Sequence, residues 1–351
     1  MIISIVVFLV VILVLVLAHE FGHFITARAF KVKIIEFAVG FPPRLWSIKR
    51  GDIIYSLNAV PLGGFVKLAG EEDPGVAGAL ASKKWWERII VLASGSLMNL
   101  ILPIVLFSIA FMLPHSAVMG QVTVEDVAPN SPASMAGIAP GDVLLSINGK
   151  PVENIGDLRR LAQLNLGSEI TVKLKRGDAV KEVRVVPRWK PPPGQGAVGV
   201  VSRLVNPTVV SQSEPIWRAV PMGVTQCGET LIIFKNEIGR WIIGASPVQV
   251  TGPVGIAQVT GEVARTGISP LFEFAAFISI NLGIVNIFPL PALDGGRIAF
   301  VVIEVLRGGR RVSPKTEGLV HMIGFALLMA LVILVTYRDI INIVTSGSAV
   351  P

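Results

Sequence analysis

Residues 1–27 carry no lysine or arginine and are almost wholly apolar. A run of about 20 such residues is what a helix needs to cross a bilayer. In lipid the backbone must satisfy its own hydrogen bonds, which leaves helix or closed barrel as the options. Yet this run contains His19-Glu20-Phe21-Gly22-His23. Polar side chains at membrane depth cost free energy, so a cluster of them marks a candidate site.

Three further runs have similar length: about Ile89 to Leu113, Leu271 to Leu293 and Leu319 to Thr336. With 52% hydrophobic and only 16% charged residues, the 351-residue chain does not read as an ordinary soluble domain. The first run lacks a basic leading segment, exceeds the length of a signal-peptide core and has no small-residue cleavage site, so it is expected to stay in place. The net charge of +7 suggests nucleic acid at first sight. No basic helix or aromatic-interleaved basic stripe supports that, and no nucleic-acid partner is expected. Lysines and arginines instead flank the apolar runs. Ten lie in residues 28–88, and Arg297, Arg307, Arg310, Arg311 and Lys315 lie between the last two runs. By the positive-inside rule both segments are cytoplasmic, leaving 114–270 and both termini outside. Cys227 stands alone, so neither an intrachain disulfide nor a cysteine metal site is expected.

The outer segment opens with GQVTVEDVAPNSPASMAGIAPGDVLLSINGKPV, which reads as strand, turn, short helix and hairpin. Asn148-Gly149 is a strong hairpin-turn signal. IGDLRRLAQL has helical spacing, and EITVKLKRGDAVKEVRVVP reads as two strands about Gly177-Asp178. Over 118–203 this order resembles a PDZ domain of the bacterial type, a fold that binds peptide chain ends by adding a strand to a sheet edge. The alternative is a spacer that binds nothing. Residues 204–270 are expected to form a linker with amphipathic segments on the outer membrane surface, in which VTGPVGIAQVTGEV makes a tight loop.

His19 and His23 are four residues apart, so on a helix they share a face and can reach one zinc ion. Glu20, beside the first ligand, can deprotonate water held there. A catalytic zinc usually has three protein ligands. His115, past the second run on the outer side, is at the wrong depth, and His321 near the inner end of the fourth run is possible. Asp294, at the inner end of the third run, is the better candidate. It is on the same side as His19, which is roughly 12 Å of helix rise from Ala27. Pro289 and Pro291 break the third run just before it, and irregular backbone at membrane depth is tolerated where it lines a cavity. Asn281 and Asn286 precede the break. Bonding to a neighbouring helix and holding a substrate or developing oxyanion are both open to them.

AHEFGH, NIFPLPALDGG and the PDZ-like insert together resemble the site-2 protease family of intramembrane zinc metalloproteases, in its bacterial branch of the regulator of sigma-E protease type. The resemblance covers nearly the whole chain, with one PDZ-like stretch where better-known members carry two, and Pro42 where a glycine is common. It implies a polytopic α-helical membrane protein of the bacterial cytoplasmic (inner) membrane, with four transmembrane helices, a membrane-associated β-hairpin and an α+β PDZ-like extracytoplasmic domain. The divisions are 1–117, 118–203, 204–270 and 271–351. It implies Zn²⁺ on His19, His23 and Asp294, with Glu20 as catalytic base. Asn286 aids substrate or transition state, and Asn281 follows it. Residues 51–70 would be a hairpin dipping into the membrane, its runs IIYSL and GFVKL joined at Pro61 and Gly63-Gly64. Gly63, Gly64, Phe65 and Val66 would hold the substrate there. Implied substrates are single-span membrane proteins of the anti-sigma factor or signal-peptide class, with peptide chain ends at the PDZ-like domain and lipid around the helices. A catalytically silent PDZ scaffold, or a zinc sensor or transporter, is the alternative reading, though neither needs a base at Glu20.

Overall fold

The computed structural model describes residues 2–71, 73, 75–248 and 250–346. It forms two compact units, Met1–Ala110 with Val250–Pro351, and Phe111–Gln249. In chain order the first unit contributes α1 (Ile2–Ala29), β1 (Ile34–Arg50), β2 (Ile53–Leu68) and α2 (Trp85–Met112). The second holds β3 (His115–Val127), α3 (Pro132–Met135), β4 (Val143–Ile147), β5 (Lys150–Pro151), α4 (Ile155–Leu164), β6 (Ile170–Arg176), β7 (Ala179–Val185), β8 (Val200–Gln212) and α5 (Ile216–Ile242). The chain re-enters the first unit with α6 (Pro253–Thr266), α7 (Ile268–Ile287), α8 (Asp294–Leu306) and α9 (Pro314–Ser346).

Among the described residues α1, α2, α7 and α9 are long and apolar enough to cross a membrane. They are the four runs legible in the sequence, with one difference of substance. The third run does not continue to Leu293. It stops at Ile287, and Asp294 opens the separate helix α8. Pro289 and Pro291 lack an N–H and push the residues before them out of the helical region, so the chain turns at 288–293. The glycines after Asp294 let that turn close. A Cβ on Gly295 would meet the Ile287 carbonyl carbon at 2.5 Å, and one on Gly296 the Leu290 carbonyl carbon at 2.9 Å.

The stretch expected to be a tight loop at VTGPVGIAQVTGEV is helical. Pro253 occupies the first turn of α6, where its fixed φ favours a helix and its missing N–H costs nothing. The glycines that suggested a loop are there for packing: Gly261 faces Ser4 of α1, whose Cα a Cβ would meet at 3.2 Å. The N–H of Gly255 donates to Asp339 Oδ2 of α9 at 2.8 Å.

The strand pair is larger than a hairpin confined to 51–70. The start of β1, residues 36–39, lies between two runs of β2: Glu36 pairs with both Ile54 and Lys67, and Val39 with both Leu57 and Gly64. IIYSL and GFVKL therefore each pair with β1 and not with one another. The later part of β1 pairs Lys49 with Ile54. Phe65–Leu68 thus forms one outer run, and its far edge faces α1. Ala27, Ile34, Leu68, Leu80, Val91, Leu92 and Val301 form the core beneath it, joining α1, α2 and α8 to the strands. Two ion pairs hold α8 on this core: Arg88–Glu304 at 2.6 Å and Arg297–Glu71 at 2.5 Å.

From β3 to β7 the second unit follows the element order legible in the sequence, while β8 runs on into the stretch expected to be a linker and α5 forms a long helix there. Its antiparallel sheet runs β7-β6-β4-β3-β8, with β5 on β4. Asn148 and Gly149, both at positive φ, make the β4–β5 turn. Ser131 caps α3 by accepting from the Ser134 N–H, and Asn154 caps α4 from the Asp157 N–H. Val122, Leu144, Ile147, Leu161, Ile170 and Leu174 fill the core. Arg176 grips the buried Asp142 with two bonds of 2.7 Å, which hold that carboxyl below the usual carboxylate range against the opposing effect of burial.

Candidate metal centre

One turn of α1 presents both imidazoles to the same side. His19 and His23 are 8% and 9% exposed, and their Nε2 atoms stand 3.3 Å apart. The space for them is made by glycine. Gly95 on α2 lies against the pair, and a Cβ there would come within 2.7 Å of His19 Nε2. Gly22, between the two histidines, lets α1 approach the Ser94 carbonyl of α2 just as closely. Thr26 and Ser94 hydroxyls, 2.8 Å apart, bridge the same two helices.

Asp294 arrives from the first turn of α8. Its Oδ2 lies 3.1 Å from His19 Nε2 and 3.3 Å from His23 Nε2. Although buried, that oxygen has no hydrogen-bond partner among the described residues. The histidines' other nitrogens explain this. His23 Nδ1 is 2.8 Å from the Val91 carbonyl, which can only accept, so Nδ1 carries a proton and Nε2 is the atom that the neutral ring offers to a metal. His19 Nδ1 faces the side-chain amide of Asn99 at 3.4 Å. Asn99 Oδ1 is buried without a partner among the described residues. Which end of an amide faces a neighbour is assigned from the bonding network, and turning this one lets Oδ1 accept from His19 Nδ1–H. Both imidazoles then aim lone pairs at Asp294.

With both rings neutral, the three lone-pair atoms converge on one point, an arrangement that a metal cation placed between them would satisfy. Zinc takes imidazole nitrogen and carboxylate oxygen at about 2.0–2.2 Å, and tetrahedral ligands at that distance stand roughly 3.3 Å apart. The observed separations of 3.1, 3.3 and 3.3 Å fit that tetrahedral edge. His19, His23 and Asp294 are the group of potential metal ligands found among the described residues.

Glu20 is turned toward the strands. Its Oε2 accepts the Val66 N–H at 2.9 Å, so the outer edge of β2 meets the motif directly. Gly64 is packed beside it, where an added Cβ would touch Glu20 Cγ at 3.7 Å. Gly63 and Phe65 instead lie against Phe41. Asn281 donates to the Phe277 carbonyl of its own helix at 3.2 Å, and Asn286 is half-buried on the last turn of α7. Neither is hydrogen-bonded to the histidines or Asp294 among the described residues. His115 belongs to β3 in the other unit. His321 is outside the cluster and accepts the Ala292 N–H at 2.9 Å.

Asn99 escaped the sequence reading. Its signal was there: an amide inside an uncharged run at membrane depth. It is 1% exposed, and its backbone carbonyl accepts from Ser279 Oγ of α7 at 2.8 Å, which ties α2 to α7 beside His19.

Comparison with known proteins agrees with this chemistry. The model of peptidase family M50 matches residues 7–331. A Clostridium acetobutylicum protein named "Putative zinc metalloprotease" is 36% identical, covering 93% of this chain and 94% of its own. A Rhizobium meliloti protein of the same name is 34% identical over 95% of each chain. The Bacillus subtilis protein named "Regulator of sigma-W protease RasP" is 28% identical over 96% of this chain and 98% of its own.

Replacing a residue that orients a metal-bound histidine typically costs 10–100-fold in metal affinity. Asn99→Ala is expected to weaken zinc binding by about that factor in a chelator competition, with Asn99→Asp, which keeps an acceptor, close to wild type. Equal affinity in all three proteins would show that the amide does not orient His19.

Proposed function

The chain belongs to peptidase family M50 and is a membrane zinc metalloprotease of the site-2 type, and from that premise we propose that it hydrolyses peptide bonds within transmembrane segments, with His19, His23 and Asp294 as zinc ligands and Glu20 as the base. The observation that carries the assignment is the convergence of the three ligand atoms at 3.1–3.3 Å beside Glu20.

When bound, zinc supplies Lewis acidity, polarising a carbonyl and making water acidic enough to lose a proton near neutral pH. Glu20 takes the proton from the attacking water as its oxygen bonds to the scissile carbon. As the carbon–nitrogen bond breaks, Glu20 returns that proton to the leaving amine, which departs neutral. The Val66 N–H holds the carboxylate in place between these transfers. A helical substrate hides its peptide groups in its own hydrogen bonds, so it must unwind before it is cut. The outer run of β2, Gly63 to Val66, offers an edge on which the unwound segment regains partners. Asn286, with Asn281 five positions earlier on the same helix, is assigned to holding the substrate or the developing oxyanion.

By the positive-inside rule, the positive residues of 28–88 and 297–315 support a reading in which the strands and α8 lie on the cytoplasmic side of a bacterial inner membrane, with the second unit outside. Substrates would be single-span proteins of the anti-sigma factor or signal-peptide class. The name of the Bacillus subtilis relative supports the former.

The second unit is read as a PDZ-like domain that binds peptide chain ends. A cavity of about 450 Å³ opens between α4 and the first residues of β8, lined by Leu158, Ala162, Val200 and Ser202. β8 is the last strand of its sheet, so its outer edge is free to take another strand. Arg159, Arg188 and Arg240 line the cavity and no acid does, which suits a terminal carboxylate. A peptide with a free C-terminus is expected to bind the full chain at least about tenfold more tightly than its amidated form, as loss of one charged hydrogen bond implies. Equal binding, or none, would remove this role.

Cleavage is tested with purified protein and a single-span substrate. Glu20→Gln should lower the rate by about 10²–10⁴, the usual worth of a positioned base, while retaining zinc. Chelator should abolish wild-type cleavage. Wild-type turnover in Glu20→Gln would defeat the assignment.

A further inference from the structure

The loop that delivers Asp294 contains a residue in an unfavourable conformation. Ala292 has φ +73°, in the left-handed region that residues with a Cβ seldom enter. It lies two positions before Asp294, so its backbone sets the direction in which α8 begins. Within the loop, the Leu293 N–H reaches the Leu290 carbonyl at 3.2 Å. The N–H of Ala292 is taken from outside the loop, by His321 Nδ1 of α9 at 2.9 Å.

His321 and Gly324 are three positions apart on α9 and so share a face. Both meet the same loop. Gly324 sits against Pro291 so closely that an added Cβ would lie 3.0 Å from the Pro291 carbonyl carbon and oxygen. The ring of Phe300, on α8, is 5.5 Å from the His321 ring. The imidazole is therefore wedged between the loop and the helix that carries Asp294. Accepting at Nδ1 leaves the ring proton on Nε2, an atom buried without a hydrogen-bond partner among the described residues. The geometry uses His321 as an acceptor for the loop.

We propose that His321, with Gly324, is a positioning brace: it holds Ala292 in its left-handed conformation and thereby keeps Asp294 Oδ2 in register with the two imidazoles. His321 touches neither substrate nor metal in this scheme and acts through the loop. The inference rests on the reading of Asp294 as a zinc ligand. It explains why the fourth span carries a half-buried histidine and glycine on one face of an otherwise largely exposed helix.

The test is zinc affinity of the full chain in detergent or nanodiscs, by chelator competition, with helix content checked in each variant. His321→Ala should weaken zinc about 10–100-fold, the usual effect of losing an orienting partner. His321→Gln, whose side-chain oxygen can accept the same N–H, should bind within a few-fold of wild type. Ala292→Gly should recover most of the loss in His321→Ala, because glycine enters the left-handed region without a brace. A His321 that ligated zinc itself would be rescued by neither change. Wild-type affinity in His321→Ala, or His321→Gln and the Ala292→Gly double variant no better than His321→Ala, would overturn the brace. If His321→Ala does not fold, a tenfold or greater loss in His321→Gln overturns it. Asp294→Ala separates the two readings. Loss of zinc there with no effect at His321 removes the brace alone, whereas unchanged zinc there removes the ligand assignment and the brace with it.

Discussion

Two imidazole lone pairs and one carboxylate oxygen, aimed at a common point inside a helical membrane unit, are the constraint on which the rest of this structure depends. In water such groups would be solvated separately; at membrane depth they are costly unless a cation joins them. Much of the first unit can be understood as bringing this about. Gly22 and Gly95 remove side chains where α1 and α2 cross, leaving room for the rings. Val91 and Asn99, both on α2, face the rings' outer nitrogens and turn the inner ones toward Asp294. The prolines at 289 and 291 end α7 early, so that a new helix can begin at Asp294, the third candidate ligand.

The same economy governs the strands. The edge of β2 donates the Val66 N–H to Glu20, so on the proposed mechanism the surface offered to an unwound substrate and the base share one contact. β1 fills the other side of that run, which leaves one edge facing α1. That proposed mechanism would link two requirements of cleaving a helix in lipid, unwinding the backbone and supplying a proton acceptor, through this one hydrogen bond.

What could be read from the sequence was what local periodicity and fixed spacing encode. The four spans are long apolar runs, and the candidate zinc ligands sit at helical spacing or in a short motif. The second unit announced its turns through Asn148-Gly149 and Gly177-Asp178. What could not be read depended on partners distant in the chain. The two runs of β2 each looked like half of a local hairpin, because nothing local shows that β1 inserts between them. The 253–266 stretch looked like a loop because its glycines serve packing against Ser4 and not chain reversal. Asn99 and His321 were hidden for the same reason: each acts on a residue far away in sequence, at His19 and Ala292, and one amide or imidazole in an apolar run does not say what it faces.

X-ray absorption at the zinc edge of the purified chain tests the account most directly. The metal centre described here gives nitrogen and oxygen neighbours at about 2.0–2.2 Å with outer-shell scattering from two imidazoles. A third imidazole, or sulfur at about 2.3 Å, would contradict it.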